Sequence, residues 1–495
     1  MVGTFWALVP PIIAIVLALI TKEVYFSLLI GILSGALFFT GFSVAGSLET
    51  TFTIMADKVS GNMNIIIFLV LLGMIVALVT KSGASRAYGD WATKRIHNKR
   101  GAMLATAGLG ILIFVDDYFN CLTVGTVMRP VTNRYNITRA KLAYIIDATA
   151  APICIIAPVS SWAAAVGSSL PEESAIDGFT LFLQTIPFNL YALLTIFMVF
   201  FLVFCNFDFS KMKKYEIENA GHEKVVDMEV KEKADSKGKV KDLVLPVVCL
   251  IAFCICAMLY TGGILEGNGI VNSFADCSSS LSLVLGAFFT IIFIACMYLP
   301  RRIVSFNEFA ASLVEGFKAM VPAILILTFA WTLSGICGGD YLNAGGYVAE
   351  VVGNSTIGMA LVPAIFFLVS VGLGFATGTS WGTFGILIPI IVAIFGDVES
   401  TMLVISIAAC LSGAVCGDHI SPISDTTILS SAGAGCVHLD HVSTQIPYAL
   451  LVAACSFVGY FVAGFSGNGF LGLLVAFVLL LAALLFARKK SKQTA

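Results

Sequence analysis

Long apolar runs that recur along the whole chain constrain its fold more than any other feature. The runs 65–79, 243–260, 281–298 and 470–486 come near or reach the ~18–20 apolar residues with which a helix crosses about 30 Å of hydrocarbon. Only 12% of the residues are charged, against about a quarter in soluble proteins. A soluble surface cannot be made from this composition, so the sequence predicts an all-α polytopic membrane protein.

The apolar segments predict thirteen spans, several of which polar residues interrupt. The first span lacks a preceding basic segment and contains Pro10-Pro11, so we interpret it as a retained helix rather than a cleaved signal peptide. The predicted spans are 4–21, 24–41, 62–80, 101–135 (interrupted), 141–166 (interrupted), 180–206, 243–261, 280–299, 318–338, 357–396 (interrupted), 401–434 (interrupted), 445–465 and 468–487.

The basic residues sort to one side of the membrane under a simple topology. We place the hydrophilic linker in the cytoplasm and treat 101–135 and 357–396 as re-entrant hairpins that return to their starting side. Of the 28 Lys and Arg, only Lys58 then lies outside, and the outer loops carry acidic residues instead. The positive-inside rule predicts this asymmetry. We therefore expect the linker and the C-terminus to be cytoplasmic.

The two halves of the chain share one hydropathy pattern at a shift of about 260 residues. Pro130 aligns with Pro389, and the segment APVSSW (157–162) aligns with SPISDT (421–426). Matching prolines could arise by chance, but the charge topology also makes the first half begin outside and the second inside. We therefore predict two inverted-topology repeats with re-entrant hairpins and broken helices, an architecture that recurs in secondary transporters.

This pattern gives four predicted regions. They are a first transmembrane repeat (1–206), a cytoplasmic charged linker (207–242), a second, inverted repeat (243–465), and an additional C-terminal helix with a basic tail (466–495). The linker is rich in Lys and Glu, so we expect a solvated and partly disordered tether.

Two polar clusters are predicted to be hairpin tips. Backbone that leaves the helix at membrane depth must be buried in protein or line a cavity, so each interruption marks a candidate site. FVDDYFN (114–120) supplies Asp116, Asp117 and Asn120. An intramembrane carboxylate costs roughly 2.5–3.5 kcal/mol and needs a cation, a proton or an Arg. The alternative is a pair hydrated at the outer interface.

The second tip, ATGTSWGT (376–383), is rich in hydroxyl groups and glycines. Thr377, Thr379 and Ser380 carry oxygens that suit a hard cation. Small-residue packing between helices would also explain the glycines.

Two further clusters are predicted to be helix breaks. DATAAPICIIAPVSSW (147–162) contains Asp147, Ser160 and Ser161 around two prolines. CGDHISPISDTT (416–427) is the densest cluster, and Gly417 and Pro422 interrupt its helix. Its candidate ligands are Asp418, His419, Ser421, Ser424, Asp425 and Thr426. A purely structural role is the alternative for this cluster.

Inverted symmetry predicts that each hairpin tip approaches a helix break, so that carboxylates of one element meet hydroxyls or carbonyls of the other. Such an oxygen cage suits Na⁺, and the same carboxylates would bind a proton when the ion leaves. His419 would tune this exchange near neutral pH, or would only bond to the opened backbone. CVHLDH (436–441) resembles a metal-binding pattern, but it falls in a predicted inner loop, and we assign no metal there.

The motifs GDHISPISDTT and FVDDYFN resemble those of the NhaC-type sodium/proton antiporter family, a branch of the ion transporter superfamily. The resemblance implies Na⁺/H⁺ exchange across a bacterial cytoplasmic (inner) membrane, with hairpins and broken helices around the site. It carries over Asp116, Asp117, Asp418, Ser424 and Asp425 as ion or proton ligands, and we assign Na⁺ itself to Asp117, Ser424 and Asp425. Relatives also look like transporters of organic acids and amino acids.

We therefore predict a Na⁺/H⁺ antiporter that needs no cofactor besides the transported Na⁺ and H⁺. The alternative is a Na⁺- or H⁺-coupled symporter or exchanger of a small organic acid or amino acid, since Arg129 and Trp381 lie near the hairpins. An enzyme is disfavoured, because no His-x-x-x-His pair, Gly-x-Ser-x-Gly elbow or phosphate-binding loop accompanies the clusters. Besides the ions we expect the lipid bilayer as a partner, expect no nucleic acid, and allow for a homodimer.

Overall fold

The computed structural model of the protein describes residues 1–21, 23–114, 116–158, 160–167, 169–170, 178–219, 237–269, 273, 277–344, 346–347, 356–395, 400–422 and 424–493. Over these ranges the regular structure is helical and contains no strand. Besides three short 3-10 turns, twenty-two α-helices are described in these ranges.

In the first half and the linker the helices are α1 (Val9–Thr21), α2 (Val24–Phe39), α3 (Val44–Gly61), α4 (Met63–Lys81), α5 (Ala84–Arg95), α6 (Lys99–Leu112), α7 (Asp117–Arg134), α8 (Arg139–Asp147), α9 (Ala151–Cys154), α10 (Ser161–Gly167), α11 (Gly178–Thr185), α12 (Leu190–Cys205) and α13 (Ser210–Asn219).

In the second half they are α14 (Lys241–Thr261), α15 (Ser279–Tyr298), α16 (Phe306–Cys337), α17 (Thr356–Thr377), α18 (Ser380–Phe395), α19 (Thr401–Ile420), α20 (Asp425–Ala434), α21 (His438–Ser466) and α22 (Gly469–Gln493). Both hairpins and both helix breaks predicted from the sequence are present as interruptions between these helices.

The described helices make the chain a multi-pass membrane protein. Seven of them are long and apolar enough to cross a membrane, and the number is nine if α2 with α3 and α11 with α12 each form one bent span. The predicted all-α polytopic fold with broken helices is thus confirmed.

The elements follow the same order in the two halves. In each, a long helix (α4 or α16) precedes a hairpin (α6–α7 or α17–α18) and then a broken helix (α8–α10 or α19–α20). Pro130 lies inside α7 and Pro389 inside α18, the second helix of each hairpin. This order is what an inverted repeat requires, and the opposite membrane orientation of the halves stays a prediction.

Three helices, α3, α5 and α13, were not expected from hydropathy. The region 44–61, interpreted as outer loop, forms the 18-residue helix α3, which bends by 119° from α2. Ser43 caps α3 by accepting a hydrogen bond from the Gly46 amide. Its mixture of polar and apolar residues hides it from a search for continuous apolar runs.

The expected solvated tether is wrong for the first part of the linker. Residues 210–219 form α13, in which Met212 is fully buried. Met212 and Glu216 are four residues apart and therefore share one face of the helix. On that face Glu216 accepts a hydrogen bond from Lys99 Nζ at 2.8 Å. Residues 220–236 lie outside the described part of the chain.

Glycines let the backbones of α7 and α20 touch. A Cβ atom added at Gly125 would lie 2.3 Å from the carbonyl carbon of Gly433, and one added at Gly433 would lie 2.4 Å from the carbonyl oxygen of Cys121. Both distances are shorter than any real contact, so each position excludes a side chain. Close approach at small residues is a general way of packing membrane helices.

We expect Gly125→Val to lower the thermal unfolding midpoint of the purified protein, because overpacking costs about 1–3 kcal/mol. Gly108→Val is the matched control, because it lies in α6 and a Cβ there meets no atom within 4 Å. Dye-monitored unfolding of both variants in detergent measures the difference. Equal midpoints for the two variants would disprove the close helix contact.

Candidate functional site

Four helix interruptions meet in the interior of the protein. They lie between α6 and α7, between α8 and α10, between α17 and α18, and between α19 and α20. Side-chain contacts join each interruption to at least one other. Every predicted site residue whose side chain is described is buried.

The first hairpin contacts the first helix break. Trp162 Nε1 donates a hydrogen bond to Asp117 Oδ2 at 3.1 Å. Asn120 Nδ2 donates to the carbonyls of Gly110 at 2.7 Å and Thr149 at 3.1 Å. Carbonyls at helix ends lack helical partners, so Asn120 satisfies groups that the breaks release. Asp116 is buried beside this contact.

The second hairpin contacts the second helix break in the corresponding way. Ser380 Oγ donates to Asp418 Oδ2 at 2.9 Å, and Thr426 Oγ1 donates to the same oxygen at 3.2 Å. Ser421 Oγ donates to the carbonyl of Phe375 at 2.8 Å. Asp418 is 1% exposed. The ends of α18, α19 and α20 therefore meet at one buried carboxylate.

Ser424 has a structural role in addition to any ligand role. Its Oγ accepts a hydrogen bond from the Thr427 amide at 3.0 Å and thereby caps α20. The same Oγ lies 3.2 Å from Thr426 Oγ1. The cap points the amino end of α20 toward the group of hydroxyls around Asp418.

Asp147 departs from the expected pairing of its break with the first hairpin. Its carboxylate reaches into the second half, where Gln445 Nε2 donates to Oδ2 at 2.6 Å and Ser430 Oγ donates to Oδ1 at 3.1 Å. Thr427 Oγ1 donates to Oδ2 at 3.3 Å, and His441 Nε2 lies 3.4 Å from that oxygen. Asp147 therefore joins the two halves.

His419 is hydrogen-bonded on both its side chain and its backbone. Its Nδ1 lies 3.1 Å from the Tyr191 hydroxyl oxygen, and its carbonyl accepts from Gln445 Nε2 at 2.9 Å. The bond from Gln445 links His419 to Asp147, so the histidine belongs to the buried network between the halves. Both roles expected for His419 stay open.

The segment 436–441 is not simply a loop, because α21 begins at His438. His438 Nε2 lies 2.7 Å from the carbonyl oxygen of Pro422, which the second break leaves without a helical partner. The side chain of His441 instead contacts the carboxylate of Asp147. The two histidines therefore serve two different contacts.

The remaining predicted residues fall into three groups. Ser160 Oγ donates to a carbonyl of the preceding turn at 2.8 Å, which bridges the first break locally. Ser161 and Thr379 are buried beside the breaks, and Ser161 Oγ has no hydrogen-bond partner within the described residues. The side chains of Thr377 and Asp425 lie outside the described part of the protein.

A pair of tryptophans lies between the two hairpin sites. The rings of Trp162 and Trp381 meet edge to face with centroids 6.1 Å apart, and Phe384 lies 5.6 Å from Trp162. Trp162 bonds to Asp117, and Trp381 follows the Ser380 that bonds to Asp418. The aromatic pair thus connects the surroundings of the two carboxylates.

Sequence reasoning missed the side chains that contact the buried carboxylates of Asp117 and Asp147 and the imidazole of His419. These are Trp162, Tyr191, Thr427, Ser430, His441 and Gln445. Some signal was present, because His441 and Gln445 are four residues apart and share a face of α21. Their common partner, however, is about 300 residues away in sequence.

The arrangement offers ligands for a cation and for an anion. Carboxylates, hydroxyls and the carbonyls at the ends of α17 and α19 suit a hard cation. The amino ends of α7, α18 and α20 carry partial positive charge that suits an anion. The site therefore fits an ion transporter and leaves the second solute open.

Comparison with known proteins shows that the chain is similar to antiporters. The family described as the Na⁺/H⁺ antiporter family matches residues 154–465. An uncharacterized protein of Haemophilus influenzae is 40% identical over 99% of this chain and 96% of its own length. The malate-2H(+)/Na(+)-lactate antiporter of Bacillus subtilis is 31% identical over 188 residues, which are 37% of this chain and 38% of that protein.

A crystal structure shares the fold. The Alcanivorax borkumensis YdaH transporter superposes with a TM-score of 0.54 over 88% of this chain and 90% of its own, at 14% sequence identity. At that identity the likeness concerns the fold alone.

Proposed function

The chain belongs to the Na⁺/H⁺ antiporter family and is a secondary transporter, and we propose that it exchanges Na⁺ for H⁺ at buried carboxylates. One observation carries the proposal. Asp418, 1% exposed, lies where the hydroxyls of Ser380 and Thr426 converge from the second hairpin and the second break. A buried carboxylate at membrane depth needs a cation or a proton, and this one has oxygen ligands around it.

The hydroxyl groups beside Asp418 can interact both with the free carboxylate and with a bound Na⁺. The hydroxyls of Ser380 and Thr426 donate to the carboxylate in this structure. The same oxygens have lone pairs, so a rotation of each O–H presents an acceptor to Na⁺. When Na⁺ leaves, a proton neutralises the carboxylate. Because the two cations compete for one group, movement of one requires release of the other.

Fixed contacts hold the half-helix α20 in place. Arg129 Nη2 donates to the carbonyl of Gly433 at 2.7 Å, and Arg139 Nη1 donates to the carbonyl of Gly435 at 3.1 Å. Cations at a helix carboxyl end complement its dipole. Arg129 was considered above as a receptor for an anionic cargo. It instead binds the carboxyl end of α20, which is the end opposite to the hydroxyls around Asp418.

A second candidate function is Na⁺-coupled or H⁺-coupled exchange of a small organic acid. The amino ends of α7, α18 and α20 would receive its carboxylate, as half-helix amino ends receive anionic substrates in other transporters. The Bacillus subtilis relative, which exchanges malate and protons for Na⁺ and lactate by its description, supports this alternative. A cationic amino acid would instead use Asp117 and Asp418.

We also propose the orientation predicted from the charges. The sorting of Lys and Arg supports a bacterial cytoplasmic membrane, with the linker and the C-terminus on the cytoplasmic side.

A proteoliposome experiment tests the exchange. In vesicles loaded with Na⁺ and diluted into Na⁺-free buffer, Na⁺ efflux through the purified protein should acidify the lumen, as reported by an entrapped pH dye. Protein-free vesicles are the control. If Na⁺ alone moves no protons and external malate, lactate or an amino acid is required, the Na⁺/H⁺ assignment fails and the second candidate replaces it.

A further inference from the structure

A charged cavity of about 360 Å³, lined by none of the predicted site residues, lies where the ends of α6, α8, α12, α13 and α22 meet. Four cationic side chains and two carboxylates line it. They are Lys99, Lys141, Lys213, Arg488, Asp208 and Glu216. Among the described lining residues the cavity therefore has a formal excess of two positive charges, which the proposed ion exchange does not use.

The two carboxylates are already satisfied. Lys141, only 2% exposed, forms an ion pair with Asp208, which also accepts from the Tyr448 hydroxyl at 2.6 Å. Glu216 accepts from Lys99 at 2.8 Å and from the Thr138 amide at 3.0 Å. The two acidic groups thus pair with Lys141 and Lys99, and Lys213 and Arg488 are the other two cations of the described lining.

Those two cations belong to different elements. Lys213 lies on α13 of the linker, and its Nζ donates to the carbonyl of Ser491 at 3.0 Å. Arg488 lies on α22 and forms no ion pair within the described residues, and its Nε is buried without a hydrogen-bond partner there. An arginine guanidinium can bind a phosphate through two parallel N–H groups.

The surroundings fit a lipid rather than a dissolved anion. Helix α22 is the least buried candidate span, with 22% of its apolar window covered by protein, and Arg488 lies near its end. Ile217, which lines the cavity, is 72% exposed, and Phe486 is 71% exposed. A basic pocket edged by exposed apolar side chains at the end of a span suits a headgroup with its acyl chains alongside.

We propose that this cavity binds the phosphate of an anionic phospholipid headgroup through Lys213 and Arg488. The bound lipid connects the linker helix α13 to the C-terminal helix α22 and so stabilises the docked form of the linker. The proposal is independent of which solute the protein exchanges.

The test compares thermal unfolding of the full-length protein in detergent with added phosphatidylglycerol, phosphatidylcholine or inorganic phosphate. We expect phosphatidylglycerol alone to raise the midpoint of the wild type. In the variant Lys213→Gln/Arg488→Gln the apparent affinity should fall about thirtyfold, since each basic residue near an anionic surface contributes about 1 kcal/mol. Lys214→Gln is the control, because Lys214 is a neighbouring side chain of α13 with 76% exposure.

Three results would overturn the proposal. They are an equal midpoint shift with phosphatidylcholine, an undiminished shift in the double variant, and a full shift with inorganic phosphate at the same concentration. If the double variant does not fold, native mass spectrometry of the wild type and of Arg488→Lys decides. Both should retain bound phosphatidylglycerol, and its absence from the wild type contradicts the site.

Discussion

Asp418→Asn is expected to abolish Na⁺-driven proton movement while leaving the protein folded. An Asn amide keeps the volume of the side chain and an oxygen that accepts from Ser380 or Thr426. It removes the charge that would hold the cation. At about 4 Å and an effective dielectric constant near 20, that charge contributes about 4 kcal/mol, which corresponds to a loss of Na⁺ affinity of about a thousandfold.

The measurement is the initial rate of lumen acidification in proteoliposomes over a range of Na⁺ concentrations. Asp90→Asn, on the exposed side of α5, is the matched control and should exchange like the wild type. Unchanged thermal unfolding of Asp418→Asn would show that the loss concerns ion binding. Exchange at the wild-type rate by Asp418→Asn would remove this carboxylate from the transport site.

Asp147→Asn is expected to reduce both stability and exchange. The carboxylate receives hydrogen bonds from Gln445, Ser430 and Thr427, so an amide group at this position must direct its own N–H toward a donor. Each buried group left unsatisfied costs about 1–3 kcal/mol. Because the donors lie in the other half, the loss weakens the contact between the halves, and we expect a lower thermal midpoint and slower exchange.

A second variant separates the structural role of Asp147 from an ionic one. In Asp147→Asn/Gln445→Glu the donor and the acceptor change places, so the bond between the two side chains can form again. We expect the double variant to unfold between Asp147→Asn and the wild type, because a carboxylate at position 445 restores the bond to position 147 but cannot donate to the carbonyl of His419. Recovery of exchange along with stability would indicate a structural role, and stability without exchange would indicate that the charge is required at position 147. An Asp147→Asn variant as stable as the wild type would contradict the network.

The helix interruptions illustrate what local sequence predicts well. The interrupted span 101–135 appears as α6 (Lys99–Leu112) and α7 (Asp117–Arg134), within a few residues of the prediction. Hydropathy, glycine, proline and polar side chains act over a few residues and determine whether a helix can continue through hydrocarbon. The positions of the four breaks were therefore readable before any tertiary contact was known.

Helices that depend on tertiary packing were predicted less well from the sequence. Helix α13 was missed because its buried face is short. Met212 and Glu216 are stabilised only by contact with the rest of the helical bundle. Helix α3 was missed because its polar residues resemble those of a loop. In both cases a tertiary surface stabilises a helix whose composition alone does not identify it.

The sequence by itself determined that this chain is a helical membrane protein with broken helices, and which acidic and hydroxyl residues lie at the breaks. Only the tertiary structure decided which donor meets which carboxylate. Asp418 bonds within its own half, whereas Asp147 bonds to Gln445, 298 residues away. The physical reason is that a helix break depends on neighbouring residues, while the hydrogen bonds of a buried carboxylate depend on the side chains that helix packing brings to it.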